Sequence, residues 1–61
     1  MYITLRMSNS KKITGQTENL IFFTNDVPRV EDGKIAININ NVLYVRPAKA
    51  EEIEHAKIHG W

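Results

Sequence analysis

Between Gly33 and Pro47 the chain reads GKIAININNVLYVRP, and its alternation leaves few folds open. Ile35, Ile37 and Ile39 alternate with Ala36, Asn38 and Asn40, and a second run, Val42 to Arg46, follows the two asparagines. Successive side chains of a strand leave opposite faces, so a period of two over this length predicts a strand half-buried on a sheet. The β-branched content points the same way.

Two readings compete at Asn40-Asn41. Asn tolerates positive φ better than most residues, so the pair fits the centre of a tight hairpin joining antiparallel strands over 34–39 and 42–46. Alternatively, a bulge lets one bent strand continue to 46, with one residue out of phase. The hairpin is preferred. Either way Ile35, Ile37, Ile39, Leu43 and Val45 are expected to face inward, with Asn38, Tyr44 and Arg46 facing outward or across an interface.

Four further segments complete the reading. Tyr2 to Met7 sets Ile3, Leu5 and Met7 against Tyr2, Thr4 and Arg6, the pattern of a first strand over 2–7. Ser8, Asn9 and Ser10 make a turn, and a short lysine-bearing strand over 11–14 has the look of a protected sheet edge. Asn19 to Thr24 carries Leu20, Ile21, Phe22 and Phe23 without alternation, so this strand over 19–24 is expected to be covered on both faces. Residues 25–33, with Pro28 and Glu31-Asp32-Gly33, read as the longest loop. After Pro47, residues 48–58 have helix formers with Glu51 and Glu52 near the start, and Ile53 and Ile58 are the expected anchors. Gly60 is a stop signal, and the end at His59-Gly60-Trp61 is expected to fray.

The expected fold is therefore mainly β, of the α+β class. It is a single domain with a small antiparallel sheet or partly closed barrel of four to five strands and one C-terminal helix. Sixty-one residues allow one thin core, and with no cysteine there is no disulfide to staple it. Stabilisation is then sought in self-association, in close packing or in a partner.

Composition excludes several functions. An apolar share of 43% argues against disorder, and a formal charge of +1 carries no signature of obligate nucleic-acid or membrane binding. No apolar run approaches the roughly 20 residues of a membrane span, and the N-terminal residues read as a strand rather than a leader. A cytoplasmic protein is expected.

Chemistry-bearing residues are few. His55 and His59 have the i, i+4 spacing of a two-histidine metal site, but no HExxH pattern accompanies them, so solvated histidines and no metal are expected. Asp26, Glu31, Asp32, Glu51, Glu52 and Glu54 read as turn and helix-surface acids, and no nucleophile or phosphate loop is recognisable. Neither a catalytic residue nor a cofactor is expected. Arg6, Lys11, Lys12 and Arg46 are the candidates for contact with nucleic acid, with Tyr2, Tyr44 or Phe23 as stacking surfaces. Against them stand the acids of the loop and helix. The stronger signal is surplus apolar surface: Ile21, Phe23, Val42, Tyr44 and Trp61 are the interface candidates. The expectation is a non-enzymatic accessory or protein-interaction module, a homodimer or the partner of another protein, with nucleic-acid binding as the alternative.

Overall fold

A computed structural model describes residues 1–60, so the expectations for Trp61 lie outside the described residues. The elements are β1 (Tyr2–Met7), β2 (Lys12–Gln16), β3 (Leu20–Phe23), β4 (Ile35–Asn38), β5 (Val42–Pro47) and α1 (Ala50–Ile58). Strands β2, β1 and β5 form an antiparallel sheet in that order, while β3 and β4 form a separate two-stranded pair. The fold is thus α+β with five strands and one C-terminal helix, open rather than closed into a barrel.

Alternation in β1 organises the larger sheet. Its register places Leu5 between Ile13 of β2 and Val45 of β5, and Thr4 between Thr14 and Arg46. One face is therefore apolar and the other polar. The apolar face meets the β3–β4 pair, and Leu5, Met7, Leu20 and Ile37 form the core, with Ile3, Ile13, Ile35 and Val42 packed around them.

The turn between β1 and β2 requires a special backbone. Ser10 lies at φ 70°, in the left-handed region, while its N–H donates to the Met7 carbonyl and the Lys11 N–H donates to Asn9 Oδ1. Asn and Ser clusters close such turns because a short polar side chain substitutes for a backbone partner.

Pairing departs from expectation in two places. The hairpin at Asn40-Asn41 does not form. A 3-10 turn over Ile39–Asn41 occupies that site, with Asn38 Oδ1 accepting from the Asn40 N–H at 3.0 Å and the Val42 N–H donating to the Ile39 carbonyl. This turn carries the chain from one sheet to the other, so β4 pairs with β3 and β5 pairs with β1. A similar 3-10 turn, Thr17–Asn19, carries the chain from β2 to β3. The second departure is that β3 and β4 run parallel, Leu20 opposite Ile35 and Phe22 opposite Ile37. Parallel neighbours cannot share a tight turn. The connection is residues 24–34, tied down by Lys34 Nζ on the Glu18 carbonyl and Asn40 Nδ2 on the Thr24 carbonyl.

Register in β5 also corrects the expected faces. Arg6 pairs with Tyr44 but Met7 pairs with Val42, so Leu43 is an extra residue inserted opposite the Arg6/Met7 step. Such a bulge reverses the phase of the strand beyond it. Val42 then packs on the core and Leu43, expected inside, is 65% exposed; Val45 keeps the face of Leu5 but is 50% exposed on the outermost strand, and Ile39, in the 3-10 turn, is 48% exposed. In β3 the expected double coverage fails at Phe22, which is exposed, while Ile21 and Phe23 are half-buried.

Helix α1 begins after the Pro47-Ala48-Lys49 connection. Glu52, three residues past the N-cap Lys49, accepts from the Lys49 backbone N–H at 2.8 Å, which satisfies one of the donors a helix start leaves free. At the helix end the His59 N–H donates to the carbonyls of His55 and Ala56, and Gly60 follows at φ 75°, the conformation of a helix stop. Its anchor is Ala56, which is buried, whereas Ile58 is exposed.

Candidate functional site

The polar face of the antiparallel sheet gathers most of the charged side chains singled out in the sequence. Residues paired across strands share a face, so Arg6, Lys12 and Tyr44 lie in one row and Thr4, Thr14 and Arg46 in the next. Lys11 falls just outside β2 and is exposed. Three of the four basic candidates thus share a face with two of the aromatic candidates, Tyr2 and Tyr44.

Helix α1 lays Glu52 onto this face and changes what it can do. Arg46 Nη1 and Nη2 donate to Glu52 Oε1 and Oε2 at 2.7 and 2.8 Å, a two-pronged pair that matches the planar guanidinium to the carboxylate. Lys12 Nζ lies 3.7 Å from Oε2. Hydrogen bonding to Arg46, then to the Lys49 amide, holds the Glu52 carboxyl far below the usual carboxylate range, while partial burial opposes them; the same pair pushes Arg46 upward. A carboxylate so occupied is a poor general acid or base, since its proton is held off and both oxygens are engaged. It acts as a strut between helix and sheet.

Beneath the helix, Thr4 is fully buried and its hydroxyl meets that of Thr14 at 2.7 Å. Among the described residues no buried side-chain polar atom lacks a hydrogen-bond partner. Sequence reasoning placed Glu52 with the solvated acids and did not single out Thr4 or Thr14. A Glu three residues after a helix N-cap was the available signal for Glu52. For the threonines no signal existed, because cross-strand register decides which two hydroxyls meet.

Between β2 and α1 lies a cavity of about 430 Å³ lined by Lys12, Ile13, Thr14, Glu51, Glu52, His55, Ala56 and His59. The two imidazoles stand edge to face there, with ring centres 4.5 Å apart. Among the described residues, no group of three or more His, Cys, Asp and Glu side chains is placed to hold a metal ion, and no helix is long and apolar enough to cross a membrane.

The interface candidates are distributed differently. Val42 belongs to the core margin, Ile21 and Phe23 are half-buried on β3, and Tyr44 is 50% exposed on β5. Leu43 and Val45, which flank Tyr44, were missed, Leu43 because the bulge was not assigned to β5 and Val45 because β5 lies at the edge of its sheet, where the inner face is only partly covered. Together Leu43, Tyr44 and Val45 form an exposed run on a strand that ends its sheet. Comparison with protein-family models, with curated proteins and with solved structures yields no match.

Proposed function

We infer that this chain is a small non-enzymatic interaction module of the cytoplasm that self-associates through β5. One observation carries the reading: Leu43, Tyr44 and Val45 are exposed consecutively on an edge strand. Exposed edges present unpaired backbone groups to other chains, and natural sheets normally guard them with charge or cover. The opposite edge is guarded in this way, since β2 bears Lys12 and lies against α1. On β5 the one charge is Arg46, and Glu52 engages it. Edge pairing supplies main-chain hydrogen bonds, and the apolar side chains supply the area that holds the partner. The engagement of Glu52 by Arg46, Lys49 and Lys12 supports a structural rather than a catalytic role for the carboxylate on this face.

A nucleic-acid reading has a specific observation behind it as well, the shared face of Arg6, Lys12, Arg46 and Tyr44. Glu52 weakens it, because one carboxylate draws on both Lys12 and Arg46. Sedimentation velocity across the micromolar range, at low and moderate salt, separates the two readings. A dimer that is insensitive to salt and converts to monomer in Leu43→Lys and Val45→Lys is the expected result. A monomer that shifts a labelled oligonucleotide in a steeply salt-dependent manner assigns the protein to nucleic acid instead.

A further inference from the structure

The cavity between β2 and α1 has a feature that the edge strand does not explain. His55 and His59 lie one helical turn apart, both line that cavity, and their ring centres are 4.5 Å apart. We propose that these two imidazoles chelate a single divalent transition-metal ion of the zinc, copper or nickel type at the mouth of the cavity.

The separation fits that chemistry. An imidazole nitrogen binds such an ion at about 2.0–2.1 Å, which puts each ring centre roughly 3.2 Å from the metal and the two centres roughly 4.5–5 Å apart at ordinary ligand angles. Side chains four apart on a helix are neighbours by construction, so no loop has to rearrange to bring the nitrogens together. The backbone at this end is already set: the His59 N–H donates to the carbonyls of His55 and Ala56. Both histidines are exposed, so an ion reaches them without crossing the core.

Two protein ligands leave coordination positions open, in keeping with the finding that, among the described residues, no three His, Cys, Asp or Glu side chains are placed to hold an ion together. Water fills those positions. The other charged groups lining the cavity are Lys12 from β2 and Glu51 and Glu52 from α1. Glu52 is taken up by Arg46 and the Lys49 amide and offers no free oxygen, whereas Glu51 lies one turn before His55 and adds negative potential without completing the site. Imidazole and carboxylate surroundings of this type favour borderline divalent ions over calcium or magnesium, which prefer all-oxygen shells. Because the chelate forms only when residues 55 and 59 share a helical turn, the ion also clamps the C-terminal turn of α1.

Calorimetric titration with zinc chloride at neutral pH, paired with amide chemical-shift mapping, tests the site. One saturable event per chain is expected, with shifts concentrated in residues 51–60 and 12–14 and a higher melting temperature in the presence of zinc. His55→Gln and His59→Gln should each weaken binding about tenfold or more, while Glu54→Gln, on the exposed face, leaves the affinity unchanged. Circular dichroism confirms that each variant retains its fold. No saturable binding below millimolar zinc, or binding that survives either histidine substitution, overturns the proposal. The self-association assigned to β5 is untouched by that outcome.

Discussion

The two faces of the β2-β1-β5 sheet are built from the same three strands and are stabilised by different physics. On one, Leu5, Met7 and Ile13 meet Leu20 and Ile37, and burial of apolar area is the stabilising term. On the other, Thr4 and Thr14 share a hydrogen bond under the helix while Arg46, Lys12 and Glu52 form an ion-paired strut. Apolar packing is non-directional and tolerates some rearrangement, whereas a polar contact is worth having only when every partner is in place. The apolar face therefore supplies stability, and the polar face fixes where α1 sits.

Substitutions on each face measure that division, and the largest effect belongs to the core. Leu5→Ala should cost about 2–5 kcal/mol, the range for a fully buried leucine, read as a lowered urea midpoint; a domain this small has little more than that to lose. Thr4→Val comes next, at about 0.5–1.5 kcal/mol, because it removes the buried Thr4 hydroxyl from its hydrogen bond with Thr14, whose own hydroxyl borders the cavity. The double variant Thr4→Val/Thr14→Val should regain part of that loss, and a purely additive result would mean that the two hydroxyls do not act together.

Acid probes the strut. The folded-state pKa of Glu52 lies far below its ordinary 4.5, so its contribution is complete above that value and is lost progressively as pH falls beneath it toward the folded value. Urea midpoints measured from neutral pH into acid should decline, and Glu52→Gln, less stable at neutral pH, should decline less steeply. Parallel curves for the two proteins would show that the strut contributes nothing.

The smallest effects concern glycine. A Cβ added at Gly15 meets Leu20 Cδ2 at an ordinary 3.5 Å, so Gly15→Ala should stabilise by about 0.4–1 kcal/mol through the unfolded chain. At Gly33, φ is +84° and the same change should destabilise. Thermal melts of the two variants are expected to move in opposite directions.

Much of this was legible along the chain. The alternation Ile3, Leu5, Met7 identified β1 and its inner face, and Pro47 followed by Ala, Glu and Lys identified the helix within two residues at its start. What misled was local chemistry shared by two structures. Asn38, Asn40 and Asn41 suit a hairpin turn, and they equally suit the 3-10 turn that sends β4 and β5 to different sheets. The extra residue Leu43 was invisible for a related reason, since a bulge is defined only against the partner strand, and that partner is β1.

The division between sequence and tertiary structure follows from the range of the forces. Which segments are strands, which is the helix and which side chains alternate were determined by the sequence alone, because φ/ψ preference and side-chain period are properties of neighbouring residues. Which strands pair, that β3 runs parallel to β4, and that Thr4, Arg46 and Glu52 meet under the helix were decided by the tertiary structure. Strand pairing and polar satisfaction are set by groups far apart in the chain, and no local preference records which of several compatible partners buries the most apolar surface and leaves no polar group unpaired.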